Sequence, residues 1–214
     1  MADCLSGAGG YSDCNLTQAL RERAREREQP MLRSAAWKST LIRAKKVQLL
    51  LLDVDGVLTD GSLLYSLDGG ESKRFHTQDG FGLRILQEAG IAVGLITARC
   101  SEVVQRRAKE LKIEHIYTGC PDKGRIYSEI LAQTGYRSEQ TAFMGDDWLD
   151  LPVLLRVGCS FAPANAVPEV RQRVDYVTEQ AGGFGAVREA CELILEARGE
   201  LAAKLVKYTQ GISC

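Results

Sequence analysis

LLLLDVDGVLTD, residues 49–60, is an apolar run of strand length that ends abruptly in two acidic residues. Asp53 and Asp55 are spaced i, i+2, which places both side chains on the same side of an extended chain. Gly56 follows them and allows the chain to turn. The stretch therefore predicts a pair of carboxylates at the carboxyl end of a buried strand, where open α/β sheets bind their ligands.

Two interpretations of this acidic pair are open. Burying two like charges is costly unless a cation or a function holds them there. The functional interpretation is a nucleophilic aspartate, Asp53, and a general acid/base, Asp55, that share a magnesium ion. The plainer interpretation is an Asp-rich turn that follows a strand.

Three later segments favour the functional interpretation. LITAR, residues 95–99, ends a second apolar run in the hydroxyl of Thr97. PDKG, residues 121–124, places Lys123 at the start of a helical pattern, and AFMGDDWLD, residues 142–150, ends a further apolar run in an acidic cluster that begins at Asp146. In this order, the four segments resemble the four motifs of the haloacid dehalogenase superfamily.

Longer matches narrow the resemblance. The segments DVDGVLTDG at 53–61, QDGFG at 78–82, GDDWLDLP at 145–152 and AGGFGAVRE at 181–189 resemble the 3-deoxy-D-manno-octulosonate 8-phosphate phosphatase family. Its relatives include the 9-phosphate phosphatases of nonulosonic acids. The chain departs from the family pattern in its long N-terminal extension, at Gln78, and at Ala98, where the family often has glycine.

The resemblance implies a Mg²⁺-dependent phosphatase that acts through an aspartyl phosphate and supplies a precursor of lipopolysaccharide. Asp53 would be the nucleophile and Asp55 the general acid/base. The metal ligands would be an Asp53 carboxylate oxygen, the Asp55 main-chain carbonyl and the Asp146 side chain. Oxygen ligands of this kind suit Mg²⁺.

The substrate implied is a small sugar acid phosphate, and four residues are candidates to bind it. Thr97 and Lys123 would hold phosphate oxygens. A lysine at a helix start faces the positive end of the helix dipole, so Lys123 there indicates a nearby anion. Arg99 and Arg107 are candidates for the substrate carboxylate, because arginine binds carboxylates with two parallel hydrogen bonds. Each of these two arginines could equally be a surface residue.

Composition limits the classes of partner. The chain has 214 residues and a net charge of −1, so nothing favours nucleic acid or a membrane surface as a partner. The seven cysteines are odd in number, irregularly spaced and free of any CxxC pattern, which predicts reduced thiols. We therefore expect a cytoplasmic protein.

Composition and pattern divide the chain into three parts. Residues 1–46 form an N-terminal extension, expected to be flexible, that includes the charged run RERAREREQ. Residues 47–200 are predicted to form the hydrolase domain, and residues 201–214 a C-terminal tail.

In the predicted domain, short apolar runs alternate with helical patterns. The alternation predicts a Rossmann-like parallel sheet with helices on both faces. Candidate strands cover residues 47–52, 91–96, 114–117, 140–144, 158–161 and 174–177. Candidate helices cover residues 80–89, 101–112, 123–134, 151–157, 166–172 and 184–197.

One segment, residues 62–75, breaks the alternation. Two short strand-like runs flank LDGG, residues 67–70, which predicts a β-hairpin flap. The insert is too short to be a cap domain, so a lone subunit would leave the site open to water. The related phosphatases are tetramers whose hairpins meet, and the resemblance therefore implies a homotetramer.

Three other functions remain open at this point. The chain could hydrolyse a nonulosonic acid 9-phosphate, or it could be a phosphatase of phosphoglycolate or nucleotides. It could also be a non-catalytic oligomerisation module of the same fold, although the complete set of motif residues argues against decay.

Overall fold

The computed structural model describes residues 32–209, and its centre is a sheet of six parallel strands. The strand order is β5-β4-β1-β6-β7-β8. The strands are β1 (Leu49–Leu52), β4 (Ala92–Ile96), β5 (His115–Tyr117), β6 (Thr141–Met144), β7 (Cys159–Ala162) and β8 (Tyr176–Val177). The predicted parallel α/β sheet is confirmed.

Strand β1 lies in the middle of this sheet and explains why its sequence is all leucine. All four of its residues are fully buried. Leu49 and Leu51 pack into one apolar layer and Leu50 and Leu52 into the other, because successive strand side chains point to opposite faces. A strand covered on both faces has no position for a polar residue, which is typical of parallel sheets.

Helices cover the two faces of the sheet. One face is packed by α1 (Ala35–Ala44), α2 (Thr77–Glu88), α3 (Glu102–Glu110) and α7 (Ala186–Ala197). The other is packed by α4 (Lys123–Thr134), α5 (Leu151–Leu154) and α6 (Pro168–Arg171). Side chains cap two of these helices, since the Ser101 hydroxyl accepts from Val104 N at 3.4 Å and Asp122 accepts from Arg125 N at 2.9 Å.

The strand order places a crevice at the carboxyl end of β1. The chain runs from β1 outward to β4 and β5, then returns to the other side of β1 to form β6, β7 and β8. Leu52, the last residue of β1, is in register with Leu95 of β4 and Met144 of β6. This reversal is the point at which open α/β sheets bind ligands.

A two-stranded hairpin follows the first motif. Strands β2 (Leu64–Tyr65) and β3 (Glu71–Ser72) are antiparallel, with Leu64 opposite Ser72. The turn between them uses Gly69 at φ 84°, a conformation that favours glycine. The hairpin therefore lies within the predicted range 62–75.

The folded region begins before residue 47. Helix α1, residues 35–44, belongs to the segment that the sequence analysis places in a flexible extension. Trp37 is only 2% exposed and packs edge-to-face on Tyr176 at 5.8 Å between ring centroids. The Thr40 hydroxyl donates to Asp175 O at 3.2 Å. The physical reason for the difference is that α1 supplies apolar cover for the end of the sheet.

The predicted tail also contains a helix, α8 (Leu201–Thr209). Its Tyr208 packs edge-to-face on Phe81 of α2 at 5.2 Å, and Lys207 pairs with Glu88 at 2.9 Å. The last part of the predicted tail, residues 210–214, lies outside the described residues. Among the residues that are described, no helix is both long and apolar enough to cross a membrane.

We predict that Trp37→Ala lowers the free energy of unfolding by about 3–5 kcal/mol, because it leaves a cavity between α1 and the sheet. Urea denaturation of the metal-free protein measures the change. Lys38→Ala, on the exposed side of the same helix, is the matched control and should leave stability almost unchanged. Equal stability of the two variants would show that the packing of Trp37 does not stabilise the fold.

Candidate active site

A cleft of about 280 Å³ opens at the carboxyl edge of the sheet, between the ends of β1, β4 and β6. Six of the seven predicted site residues line it: Asp53, Asp55, Thr97, Arg99, Lys123 and Asp146. They meet because parallel strands end at the same edge of a sheet. Their chemical roles stay predictions.

Lys123 lies at the centre of the buried part of the cleft. It is the first residue of α4, and only 3% of it is exposed. Its Nζ lies 2.7 Å from Asp53 Oδ1 and 2.6 Å from Asp150 Oδ1. Both partners are anions, which fits a cation placed against the positive end of a helix dipole.

Asp150 joins this lysine to the loop after β6. Its Oδ2 accepts from Asp146 N at 2.9 Å and from Asp147 N at 3.2 Å. Its Oδ1 accepts from Lys123. Asp150 is fully buried and its two oxygens are engaged, so it fixes both the loop and the lysine. Asp150 belongs to the acidic cluster that begins at Asp146, and the family resemblance implies that Asp147 or Asp150 orients the water ligands of the metal, a role that stays a prediction.

The carboxylates raise one another's pKa values. Burial raises the pKa of Asp53 to about 7, and the charge of Asp150 adds to the effect while Lys123 opposes it. Burial and the charges of Asp53 and Asp150 raise the pKa of Asp146 to about 7. Burial lowers the pKa of Lys123, but Asp53 and Asp150 outweigh it, so the net shift is upward. The cleft has more negative than positive charge.

The donor set fits a hard divalent cation. One oxygen from each of Asp53, Asp146 and Asp150 lies within 4.8 Å of the others. Asp146 Oδ1 is buried and accepts no hydrogen bond within residues 32–209. An orphaned buried carboxylate oxygen is costly unless a cation binds it. Because Asp150 is already engaged, Asp53 and Asp146 are the side chains with oxygens to offer.

Asp55 stands at the mouth of the cleft and faces the hairpin. Its side chain is 20% exposed. Its Oδ1 accepts a hydrogen bond from Lys73 Nζ, and its Oδ2 lies 3.7 Å from Arg99 Nε. The carboxylate is therefore bordered by two cations, one from the hairpin and one from the end of β4.

Thr97 follows the last residue of β4 and lines the cleft. It is 2% exposed, and its hydroxyl oxygen accepts from Arg99 N at 3.3 Å. Because the hydroxyl acts as the acceptor in this bond, its own proton is available to an anion in the cleft.

The two predicted carboxylate-binding arginines lie in different places. Arg99 is at the mouth, where it donates to the Tyr65 hydroxyl at 2.7 Å and lies 3.4 Å from Glu71. Arg107 does not line the cleft. It lies over the ring of Phe75 at 5.8 Å and pairs with Glu110 at 3.3 Å.

Sequence analysis did not identify a second set of residues at this mouth, all of them on or next to the hairpin. Lys73, Glu71 and Tyr65 come from the hairpin itself, and Ser101 comes from the start of α3. Glu71 accepts from the Ser101 hydroxyl at 2.5 Å. Only the fold brings these side chains together, since no motif contains them.

Comparison with known proteins agrees with this fold and site. Residues 116–189 match the family model described as haloacid dehalogenase-like hydrolase. The chain is 43% identical over 161 residues to the 3-deoxy-D-manno-octulosonate 8-phosphate phosphatase of Escherichia coli K12, covering 75% of this chain and 86% of that protein.

Solved structures give the same result. A 3-deoxy-D-manno-octulosonate 8-phosphate phosphatase from Moraxella catarrhalis, in complex with a magnesium ion, a phosphate ion and a 3-deoxy-D-manno-octulosonate (KDO) molecule, is 39% identical with a TM-score of 0.79. The match covers 80% of this chain and 98% of that one. The phosphatase of the same name from Yersinia pestis is 43% identical with a TM-score of 0.75, over 76% of this chain and 88% of that one.

The fold and the site define a hydrolase of the haloacid dehalogenase type. Within that class, the chain belongs to the 3-deoxy-D-manno-octulosonate 8-phosphate phosphatase family. The predicted family is therefore confirmed.

We predict that Mg²⁺ affinity rises between pH 6 and pH 8. Asp53 and Asp146, each with a pKa of about 7, are protonated below that pH and ionised above it. A proton that must leave before the metal binds costs about tenfold in affinity for each pH unit below the pKa. Calorimetry at three pH values, in buffers of different ionisation enthalpy, measures affinity and proton release together. Equal affinity at pH 6 and pH 8 would contradict the assignment of these ligands.

Proposed function

We propose that this protein is a Mg²⁺-dependent phosphatase that converts 3-deoxy-D-manno-octulosonate 8-phosphate into 3-deoxy-D-manno-octulosonate and inorganic phosphate. The observation that carries the proposal is the meeting of Asp53, Lys123 and Asp146 in one cleft. It is supported by the Moraxella catarrhalis relative, whose structure contains magnesium, phosphate and KDO.

In the first step, an Asp53 carboxylate oxygen attacks phosphorus and forms an aspartyl phosphate. Lys123, whose Nζ lies 2.7 Å from Asp53 Oδ1, neutralises part of the charge between the nucleophile and the phosphate. The Thr97 hydroxyl donates to a second phosphate oxygen. Asp55 gives a proton to the sugar oxygen as the bond from phosphorus to that oxygen breaks.

In the second step, Asp55 accepts a proton from a water molecule that attacks the aspartyl phosphate. The bond from Asp53 to phosphorus breaks, and phosphate and the free Asp53 carboxylate result. Asp53, Asp146 and the Asp55 main-chain carbonyl would hold Mg²⁺, which when bound supplies positive charge to the phosphoryl oxygens. Asp150 keeps Lys123 and the loop of Asp146 in place throughout.

The sugar acid would bind at the mouth of the cleft. Arg99 is 40% exposed there and has donors enough for a carboxylate as well as for Tyr65 and Glu71. Arg107 lies outside the cleft, so its proposed contact requires a substrate that extends beyond it or a second copy of the chain.

We also propose that the protein is a homotetramer in which hairpins meet. The hairpin residues Leu64, Tyr65 and Leu67 are exposed, although they are large and apolar. A cluster of such residues beside a polar site is typical of an interaction surface. Cover by neighbouring subunits would replace the missing cap and limit the entry of water.

The remaining proposals concern the cell. Four cysteines among the described residues are free thiols: Cys100, Cys120, Cys159 and Cys191. Free thiols suit a reducing compartment, and we place the protein in the cytoplasm. Its product would enter the synthesis of lipopolysaccharide precursors.

Phosphate release from a panel of substrates tests the proposed activity. The panel contains 3-deoxy-D-manno-octulosonate 8-phosphate, a nonulosonic acid 9-phosphate, phosphoglycolate and a nucleoside monophosphate, each with Mg²⁺ or with a chelator. We expect kcat/KM to be highest for the 8-phosphate by about tenfold or more, since buried polar groups discriminate strongly between sugars. Chelation should abolish turnover.

Asp53→Asn serves as the matched control for contaminating phosphatase and should have no turnover. A higher kcat/KM for the 9-phosphate would show that the substrate is a nonulosonic acid 9-phosphate and not the proposed 8-phosphate. Failure of the wild-type protein to release phosphate from any substrate would favour the non-catalytic module.

We predict that Leu64→Glu lowers the oligomer mass and also lowers kcat, because a charge in the hairpin cluster opposes its burial between subunits. Light scattering after size exclusion measures the mass. Ile42→Glu, at an exposed position of α1, is the control and should retain the wild-type mass. A Leu64→Glu protein with unchanged mass would remove the hairpin from the interface.

A further inference from the structure

Lys73 has a buried side chain and belongs to none of the four motifs. It follows β3, and its side chain is 0% exposed. Its Nζ donates to Asp55 Oδ1 and lies 3.4 Å from Glu71 Oε1. Burying an ammonium group is costly unless its partners are well placed. Lys73 therefore restricts the orientation of the two carboxylates that it contacts, those of Asp55 and Glu71.

Glu71 fixes the hairpin end from which Lys73 extends. Glu71 Oε2 accepts from the Ser101 hydroxyl at 2.5 Å, and Oε1 lies 3.4 Å from an Arg99 guanidinium nitrogen. Strand β3 is thus tied, through its first residue, to the segment that leads into α3. Lys73 Nζ is held from two sides, by Glu71 and by Asp55.

Asp55 is held by groups at the mouth of the cleft and not by Lys123, the cation of the buried part. Asp150 receives two backbone N–H groups and Lys123, and Asp53 receives Lys123. The Asp55 carboxylate accepts its hydrogen bond from Lys73, and Arg99 Nε lies 3.7 Å from its other oxygen. A general acid must lie within hydrogen-bond reach of the leaving oxygen, so its orientation limits the rate.

We propose that Lys73 is a positioning residue that holds the Asp55 carboxylate for proton transfer, so that the docked hairpin completes the acid/base group. The inference rests on the proposed function, in which Asp55 is the acid/base. Because the Lys73 side chain has no solvent-exposed surface, it acts through Asp55 and not by contact with substrate.

Arg74 provides a comparison one residue further along the chain. It has the same charge, but its side chain is 63% exposed and pairs with Asp60 at 2.6 Å. It also lies over the ring of Phe184 at 4.9 Å. The contacts of Arg74 are with Asp60 and Phe184 and not with Asp55. A substitution of Arg74 therefore removes a positive charge from the hairpin without removing the contact to Asp55.

The leaving group decides whether the first chemical step needs Asp55 as an acid. A sugar alkoxide must be protonated as its bond to phosphorus breaks. The 4-nitrophenolate ion leaves without a proton, so the first step on 4-nitrophenyl phosphate does not need the acid. Hydrolysis of the aspartyl phosphate needs Asp55 as a base with both substrates.

Stopped-flow and steady-state kinetics on Lys73→Met, with Arg74→Met as the matched control, test the proposal. With the sugar acid phosphate, Lys73→Met should lower kcat by about 10²-fold with little change in KM, the size of a lost acid/base contribution. With 4-nitrophenyl phosphate, it should release one nitrophenolate per active site in a burst and then turn over slowly. Arg74→Met should behave as the wild type with both substrates.

An equal loss on both substrates without a burst would overturn the role of Lys73, since it would indicate a defect in phosphoryl transfer or folding. Circular dichroism and the thermal midpoint identify a folding defect, and Lys73→Gln then repeats the measurement with a smaller polar side chain.

Asp55→Asn separates this inference from the proposed function. It should show the same burst as Lys73→Met. Full turnover by Asp55→Asn would refute the acid/base assignment itself, and a wild-type protein inert towards both substrates would refute the proposed activity. A burst in Asp55→Asn but not in Lys73→Met would refute only the positioning role.

Discussion

The ion pairs of Lys123 are the constraint on which the rest of the site depends. One ammonium group lies between Asp53 and Asp150, and Asp150 in turn accepts the backbone N–H of Asp146. The lysine thereby joins α4, the end of β1 and the loop after β6. Burial raises the pKa values of Asp53 and Asp146, and the single positive charge of Lys123 does not balance the three acids Asp53, Asp146 and Asp150. This excess of negative charge favours the binding of a second cation in the cleft.

Close backbone packing holds the first motif, residues 53–60, next to the side chain of Asp146. Gly56 is at φ 85°, and a Cβ added to it would lie 2.0 Å from Asp146 Oδ2. On its other side, a Cβ at Gly182 would lie 1.7 Å from Gly56 O. The turn after Asp55 is therefore enclosed between a carboxylate and the backbone of a segment more than a hundred residues later. The Gly182 N–H donates to Asn165 Oδ1 at 2.7 Å, which holds that segment in place.

Local pattern predicted the sheet and most of the cleft, because apolar runs that end in polar residues identify strand ends. It did not find α1, although Trp37, Leu41 and Ala44 have the spacing of a buried helix face. The charged run before them obscured that pattern. Lys73 was beyond sequence reasoning, since nothing local separates it from Arg74, and burial distinguishes the two only in the folded chain. Arg107 lies outside the cleft for a similar reason, because helix direction and not charge decides what it contacts.

The site thus has two halves with different support. The half proposed to bind the phosphoryl group, formed by Asp53, Lys123 and Asp146, is built on strand ends and a helix start, which do not depend on the hairpin. The half proposed to bind the sugar acid is formed by Arg99, in the loop after β4, and by hairpin side chains that contact it, including Tyr65 at 2.7 Å. A substrate carboxylate at Arg99 must share the guanidinium with Glu71 and Tyr65, so the packing of the hairpin controls which donors remain. Every phosphate monoester presents the same phosphoryl group, whereas sugar acids differ in length and stereochemistry. Selection among them therefore depends on the half of the site that can vary with hairpin packing.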